Sequence, residues 1–324
     1  MEIRKLQLIG GSSYMVSLPK DWIRINELKQ GDEIYLRVED SVITLYPKRF
    51  KEEAKIAKVE IEGLPLQDER FIRRYIYALY LQGLDEIIIR DKNINTRMLS
   101  RISDIVKNLI GMEIIDASDG IVVLKCLAGT DFDVFGVVKR MTQIIRSMLA
   151  TLIEALVKND NEILREIKNL EEDSDRLYLL AVRQEHKLIR EYSSPSRWNE
   201  LRLILGIRTV AKLLEEISDC LDSFSNYLIE LHKEKKGLDA LKFYIQKLEK
   251  SFEMVSDAYF NSNVKLSEDS IRMFEELEDK ILKNIGGSVH YRLALESVLS
   301  ACRHMKSIGE ISFNKAVRES LQKL

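Results

Sequence analysis

The residues of this sequence best suited to chemistry are pairs of carboxylates spaced four positions apart. Residues at that spacing share one face of an α-helix, where their Cβ atoms lie roughly 5–6 Å apart. Like charges so close repel each other unless a cation lies between them, and carboxylate oxygens are the ligands that hard cations prefer. The pairs are Glu171 with Asp175, Glu215 with Asp219, and Glu275 with Asp279. They are candidates for a metal site.

The pairs recur within an internal repeat. The stretch 170–177 aligns with the stretch 274–281, so that both copies place Glu-x-x-x-Asp at one equivalent position. In the helix that follows each stretch, Lys306 and Glu310 of the second copy stand where the first copy has Glu215 and Asp219. A single acidic pair is explained as well by a solvated helix face, because 52 of the 324 residues are acidic and such pairs arise by chance. The repetition is what favours a metal site.

No constellation typical of an enzyme is visible in the sequence. The four histidines are scattered, and none belongs to the Glu-x-x-His motif of a di-iron site. The sequence also lacks a glycine-rich phosphate-binding loop and a nucleophile elbow. A hydrolase that works with carboxylates and metal would have no identifiable nucleophile or acid–base histidine. We therefore expect a non-catalytic protein, and a cation held by oxygen ligands alone.

Composition limits the classes of protein that remain. The chain carries 50 basic and 52 acidic residues, so its net charge of -2 gives no overall attraction to nucleic acid, and any DNA contact must be local. Four prolines and 14 glycines are few for an all-β protein. Three well-separated cysteines suit a reducing compartment, and no stretch approaches the ~20 apolar residues of a membrane span. These features predict a cytoplasmic protein without an integral membrane segment.

The elements expected to position the acidic residues fall into three segments. Residues 1–48 have the pattern of short strands separated by turns, and a segment of that size needs a second chain or domain to bury a core. Residues 50–130 alternate strand and helix patterns, which predicts an α/β module acting as a spacer or sensor. From residue 131 onward the apolar spacing is helical, and breaks divide it into two three-helix units, 131–236 and 237–320.

Residues 9–22 read Ile-Gly-Gly-Ser-Ser-Tyr-Met-Val-Ser-Leu-Pro-Lys-Asp-Trp, and Leu-Lys-Gln-Gly-Asp follows at 28–32. This run resembles the AbrB/SpoVT-type swapped-hairpin domain. The resemblance implies an interlocked β-barrel formed by a homodimer that binds DNA. By position, DNA would be contacted by Arg4 and Lys5 of the first strand and by Lys20 and Arg24 near a short helix. A domain that dimerises without strong DNA affinity is the alternative, because its basic and acidic residues nearly balance.

Residues 169–178 read Asn-Leu-Glu-Glu-Asp-Ser-Asp-Arg-Leu-Tyr, and residues 215–219 read Glu-Glu-Ile-Ser-Asp. Both stretches resemble acidic motifs of the PhoU family, and the resemblance covers about residues 131–320. It implies two three-helix bundles whose acidic residues bind a divalent or trivalent metal ion, such as Fe, Zn, Mn or Mg. The implied ligands are Glu171, Asp175, Glu215 and Asp219 in a first cluster, and Glu275, Asp279 and Glu310 in a second. In the second cluster Lys306 takes the position of a ligand.

Together the two resemblances imply a multidomain α+β protein. It would have an N-terminal swapped-hairpin β-barrel domain at 1–48, a middle α/β module at 50–130, and tandem PhoU-like three-helix bundles at 131–324. The combination resembles an archaeal type of phosphate-uptake regulator, which implies a cytoplasmic homodimer that binds DNA and regulates transcription through a metal-binding sensor region. The alternative is an adaptor that dimerises through its first domain and interacts with a phosphate transporter or a sensor kinase.

Overall fold

The computed structural model of the chain describes residues 3–39, 42–47, 58–63, 68–118, 120–127, 134–191, 198–234 and 237–321. These residues form two compact units, of which the first ends at residue 47 and the second begins at residue 58. The first unit is a small β domain. The second contains an α/β module followed by long helices.

The first unit consists of two β-hairpins and a short helix. Strands β1 (Gln7–Ile9) and β2 (Ser13–Met15) pair antiparallel, helix α1 spans Lys20–Ile25, and strands β3 (Ile34–Glu39) and β4 (Val42–Pro47) form a second antiparallel pair.

Gly10 and Gly11 form the turn of the first hairpin, with φ angles of 61° and 78° that other residues disfavour. Strands β1 and β2 span three residues each, which agrees with the short strands predicted for residues 1–48. The two hairpins are separate two-stranded sheets, so the described residues 3–39 and 42–47 of a single chain form no closed barrel.

The α/β module has the predicted alternation of strands and helices. Its elements are β5 (Lys58–Glu62), α2 (Glu69–Leu81), β6 (Glu86–Arg90), α3 (Thr96–Val106), β7 (Met112–Ser118) and β8 (Ile121–Cys126). The strands form one sheet in the order β5-β6-β8-β7, in which β5 is parallel to β6 and the other neighbours are antiparallel. Asp68 and Asn95 cap the two helices by accepting backbone hydrogen bonds. Apolar side chains of both helices pack on β6 and β8.

The helical region has the predicted breaks. Its helices are α4 (Val134–Lys158), α5 (Arg165–Glu191), α6 (Trp198–Glu234), α7 (Leu238–Asn261), α8 (Val264–Leu282) and α9 (Val289–Leu321). Asn159 and Ser262, with φ angles of 53° and 51°, follow the ends of α4 and α7. All six helices contribute apolar side chains to one continuous core, so the two three-helix halves pack as one body.

The predicted fold class, a multidomain α+β chain with tandem helical bundles, is confirmed. None of the helices that the structure describes combines the length and the apolar character needed to span a bilayer.

Helix α5 is joined to the α/β module through Arg183. This side chain is 1% exposed, and its Nη1 donates to the carbonyl oxygens of Tyr80 at 2.9 Å and Leu84 at 2.8 Å. Its Nη2 donates to Asp85 Oδ1 at 2.9 Å, and Lys187, one turn further along α5, donates to the same oxygen at 2.9 Å. Because a buried guanidinium needs several acceptors, this network fixes the module against α5.

Candidate metal centre

Two serines bring α5 and α6 together at the acidic motifs. Ser174 and Ser218 are 0% exposed, and Ser218 Oγ donates to Ser174 Oγ across the helix interface at 3.1 Å. Side chains this small allow two helix backbones to approach closely. On each helix the serine stands directly before an aspartate, Asp175 or Asp219. The contact therefore brings the acidic residues of both helices to one place.

Five carboxylates converge there in two overlapping groups. The ligand oxygens of Glu171, Asp175 and Asp219 lie within 4.8 Å of one another, and those of Glu215, Glu216 and Asp219 do so as well. Asp219 belongs to both groups, so the two are continuous. The structure thus gathers all four residues predicted for the first cluster and adds Glu216. We call these five residues the carboxylate cluster.

The surroundings of the two aspartates disfavour their charged forms. Burial, and after it the charge of Glu171, raises the pKa of Asp175 to about 7. Burial, and after it the charge of Glu215, raises the pKa of Asp219 to about 6. An ordinary aspartate has a pKa of about 3.9. Near neutral pH the cluster therefore holds negative charges that its surroundings do not fully compensate.

One oxygen of the cluster lacks a partner. Asp175 Oδ1 is buried and accepts no hydrogen bond from the described residues. Burial of an unpaired carboxylate oxygen is unfavourable by roughly 1–3 kcal/mol or more, and a bound cation removes that penalty. Because the ligand atoms are carboxylate oxygens alone, the cluster suits a hard divalent or trivalent ion. By both criteria these residues fit a metal ion.

Two lysines neutralise part of the cluster's charge. Lys168 Nζ lies 2.5 Å from Glu171 Oε2 on α5, and Lys212 Nζ contacts Glu215 and lies 2.7 Å from Glu216 Oε1 on α6. The hydrogen bond to Glu171 raises the pKa of Lys168. Burial alone would lower the pKa of Lys212, but its hydrogen bonds to the two glutamates outweigh burial and raise it. These ammonium groups form ion pairs with carboxylate oxygens that a metal ion would use as ligands.

The second half of the helical region lacks an equivalent group among the residues that the structure describes. Its three predicted ligands are all exposed: Glu275, Asp279 and Glu310. Glu278 on α8 instead accepts from Arg303 Nε at 2.8 Å and lies 3.4 Å from Lys306 Nζ, both on α9. Basic side chains of the protein itself therefore supply the positive charge between α8 and α9.

The four residues predicted to contact DNA lie on the surface of the first unit. Arg4, Lys5, Lys20 and Arg24 are all exposed. Lys20 begins α1, and Arg24 in the next turn donates to Asp21 Oδ1 at 2.8 Å. Because an exposed ion pair contributes little stability, Arg24 can exchange this partner for a phosphate group. DNA contact by these residues stays a prediction.

Glu216, the two serines and the two lysines were not predicted from the sequence. The Glu-x-x-x-Asp spacing selects Glu215 and Asp219 but passes over Glu216, whose side chain leaves the helix about 100° further round. Two short sequence patterns that occur on both helices could have indicated these residues. Both helices carry Ser-Asp at the contact, and both carry Lys-x-x-Glu just before it, as Lys168 to Glu171 and Lys212 to Glu215.

Comparison with protein families identifies two domains. The family described as PhoU domain matches residues 138–228, a range that includes the whole carboxylate cluster. The family described as Antidote-toxin recognition MazE, bacterial antitoxin, matches residues 7–53. The resemblance to the PhoU family is therefore confirmed over residues 138–228, and the resemblance of the N-terminal segment to a MazE- and AbrB-like domain is confirmed over residues 7–53.

Among solved structures, the crystal structure of PhoU from Pseudomonas aeruginosa is similar to this chain, with a TM-score of 0.43 and 16% sequence identity. The match covers 57% of this chain and 92% of that chain. Comparison with curated proteins gave no match.

Proposed function

We propose that this protein is a regulator of phosphate uptake in which a metal-binding PhoU region acts as the sensor and the N-terminal domain binds DNA to control transcription. The observation that carries the proposal is the presence, in one chain, of a PhoU domain with a gathered carboxylate cluster and a MazE- and AbrB-like domain. In this proposal the protein acts by binding and catalyses no reaction.

In the PhoU region, the carboxylate cluster would hold a divalent or trivalent ion such as Fe, Zn, Mn or Mg. When bound, the ion supplies positive charge between α5 and α6. Glu171 and Asp175 belong to α5, whereas Glu215, Glu216 and Asp219 belong to α6. Binding therefore ties the two helices together, and their packing becomes dependent on the metal.

In the N-terminal domain, exposed apolar side chains support a homodimer. Leu8, Val38 and Ile43 lie on three of its strands and are 58%, 68% and 61% exposed. Residues 3–6 and 16–19 flank β1 and β2 but belong to no sheet within the described part of the chain. A second copy would cover these side chains and pair these segments, which would stabilise both chains.

The proposed partners follow from the two domains. Arg4, Lys5, Lys20 and Arg24 would contact the phosphate backbone and base edges of an operator. The PhoU region would interact with a phosphate transporter or a sensor kinase. Both roles belong in the cytoplasm, which is the proposed location.

A gel-shift titration with the DNA upstream of the protein's own coding sequence tests the DNA-binding role. We expect retardation at low salt that weakens steeply as the salt concentration rises, because phosphate contacts release counterions. Replacing two basic residues together, Lys20→Gln with Arg24→Gln, should weaken binding at least roughly tenfold. Lys29→Gln removes an exposed lysine outside the predicted contact set and should leave binding unchanged.

Absence of retardation at low salt would contradict the DNA-binding role. It would favour the adaptor, in which the N-terminal domain serves only to dimerise the chain.

A further inference from the structure

A cavity of about 380 Å³ lies between the α/β module and helix α5. That volume is within the range of small-molecule sites. The apolar part of its lining comes from the segment between α3 and β7 and from the start of β7, and it includes the half-buried Ile110 and Ile114. Its charged groups are Arg176 from α5, Lys107 at the end of α3, and Glu113 from β7. We call this space the junction cavity.

Two arginines of α5 adjoin the module and lie seven residues apart. They differ in how many hydrogen-bond acceptors the protein offers their guanidinium groups. Arg183 is buried and donates to two carbonyl oxygens and a carboxylate. Arg176 lines the junction cavity, and its buried Nε has no hydrogen-bond partner within the described residues. Its Nη1 makes one long contact, 3.4 Å to Asp173 Oδ1. The Arg176 side chain is 40% exposed, so donors at the end of its guanidinium are available for an acceptor in the cavity.

We propose that the junction cavity binds a small oxyanion with an apolar body, a carboxylate or a phosphate monoester, whose charged group pairs with Arg176. A guanidinium presents its N–H donors in a planar fork that matches either oxyanion. Lys107 and Glu113 also line the cavity, and because Lys107 Nζ already pairs with Asp104 Oδ1 at 2.8 Å, Arg176 is the group that supplies the positive charge for the ligand. The apolar lining takes the body of the ligand, so affinity depends on both features.

This site gives the α/β module a sensing role beside the metal centre. Arg176 directly follows Asp175 in α5, so a ligand held by the guanidinium contacts both the module and the helix that carries part of the carboxylate cluster. The inference does not rest on a bound metal, because the cavity and its arginine are formed by the protein alone.

Binding of four probes to the full-length, chelator-treated protein tests the site. Phenyl phosphate and phenylacetate each combine an oxyanion with an apolar ring, whereas inorganic phosphate and phenol carry one feature each. In calorimetric titrations, at least one of the first two should bind one molecule per chain and at least roughly tenfold more tightly than phosphate or phenol. The tighter of the two identifies the oxyanion as an ester phosphate or a carboxylate.

Two variants connect the binding to the cavity. Arg176→Gln should weaken binding of the tighter probe at least roughly tenfold, because the charge-assisted pair is lost. Ser103→Leu, which enlarges a side chain lining the cavity, should weaken it as well. The matched control is Arg165→Gln, at an exposed arginine of α5 that pairs with Glu162 at 2.7 Å, and it should bind as the parent does.

The proposal is overturned if neither aromatic anion binds saturably. It is also overturned if the variants, shown to be folded by circular dichroism, bind as tightly as the parent; if Arg176→Gln does not fold, Ser103→Leu decides alone. Because the assay contains no metal, these outcomes are independent of whether the carboxylate cluster binds an ion.

Discussion

The surroundings of Asp175 destabilise its ionised form, which is unusual for a carboxylate with a purely structural role. One of its oxygens is buried and accepts no hydrogen bond from the part of the chain that the structure describes, and burial together with the charge of Glu171 raises its pKa to about 7. Such a group lowers the stability of the metal-free protein, and the same charge attracts a cation. The negative charge of this residue therefore lowers the stability of the metal-free protein but favours metal binding.

Asp175→Asn should stabilise the metal-free protein. The amide keeps the shape of the side chain but removes its charge, which should raise the free energy of unfolding by about 1–2 kcal/mol at alkaline pH, after allowance for screening by solvent. The gain should shrink as the pH falls below about 7, because Asp175 is then protonated in the parent. Added Mn²⁺ should stabilise the parent but not the variant. Urea unfolding with and without the ion measures both effects.

Asp279→Asn is the matched control for this change. Asp279 holds the equivalent position in the second half of the helical region and is exposed. Its replacement should alter the free energy of unfolding by no more than ~0.5 kcal/mol. If Asp175→Asn destabilised the metal-free protein, the carboxylate would have a structural role that the cluster geometry does not explain.

Lys212→Met should bind metal more tightly than the parent. The Lys212 ammonium contacts Glu215 and Glu216 and so competes with an ion for their oxygens. Its removal should lower the Kd by about three- to tenfold, the equivalent of roughly 1 kcal/mol, as measured by competition with a chelator. Lys233→Met is the control, since Lys233 pairs with Glu230 at 2.7 Å further along the same helix. Weaker binding by Lys212→Met would show that the lysine orients the ligands.

Small residues determine how closely neighbouring helices pack in both halves of the helical region. Ser174 meets Ser218 between α5 and α6. Gly309 on α9 is equivalent to Ser218 in the repeat, and a Cβ built there would lie 2.9 Å from Ile271 Cγ1. The two halves therefore share a close helix contact, although among the described residues it is the first half that gathers carboxylates.

Gly309→Ala should destabilise the protein by about 1–3 kcal/mol, because the added methyl group overpacks the contact with Ile271. Gly206→Ala provides the control within another helix, because no atom of the described residues lies within 4 Å of a Cβ built at Gly206. That change should raise stability by about 0.5–1 kcal/mol through helix propensity. Denaturant unfolding of both variants measures the difference. Equal stabilisation by the two changes would argue against a tight contact at Gly309.

Helices and strands were predictable from the sequence where one face of the element is buried, because burial of one face produces a periodic apolar pattern. The helical apolar spacing from residue 131 onward predicted the region that begins with α4, and the strand pattern of residues 1–48 predicted the region that contains β3. The first two strands span three residues each, because a strand extends only as far as a partner pairs with it, and each has one short partner within the described chain.

The acidic spacing predicted which carboxylates share a helix face, but it could not specify what faces them from the next helix. Glu171 and Asp175 meet Asp219 because two serines allow their helices to approach. In the second half, Lys306 was visible in the sequence as a departure from the motif. The pairing of Arg303 with Glu278 depends on how two helices cross, and the spacing along one helix carries no information about that.

Across the second unit, helix α5 connects three features in order along its length. Glu171 and Asp175 belong to the carboxylate cluster, Arg176 lines the junction cavity, and Arg183 fixes the α/β module. A change in the position of α5 would therefore alter its contacts with both the module and the helical bundle. In the proposed function, metal binding and ligand binding would therefore involve the same helix.

The full chain should sediment as a species of twice the 37.6 kDa chain mass, because the N-terminal hairpins leave apolar strand residues exposed. Leu8→Glu combined with Val38→Glu should yield monomers, since it introduces charges on that surface. Val157→Glu combined with Leu205→Glu is the control, because these exposed apolar residues of the helical region, 58% and 57% exposed, lie outside the N-terminal domain. A parent chain that sediments as a monomer at micromolar concentration would contradict the proposed dimer.

The metal content of protein purified without chelators decides whether the carboxylate cluster is a metal centre. Elemental mass spectrometry should detect at least one metal ion per chain in the parent. The double variant Glu171→Ala with Glu215→Ala should lose most of it, whereas Glu275→Ala with Glu310→Ala should retain it. Equal and negligible metal in the parent and in the first double variant, even after dialysis against Fe, Zn or Mn, would contradict the metal centre on which the proposed sensor depends.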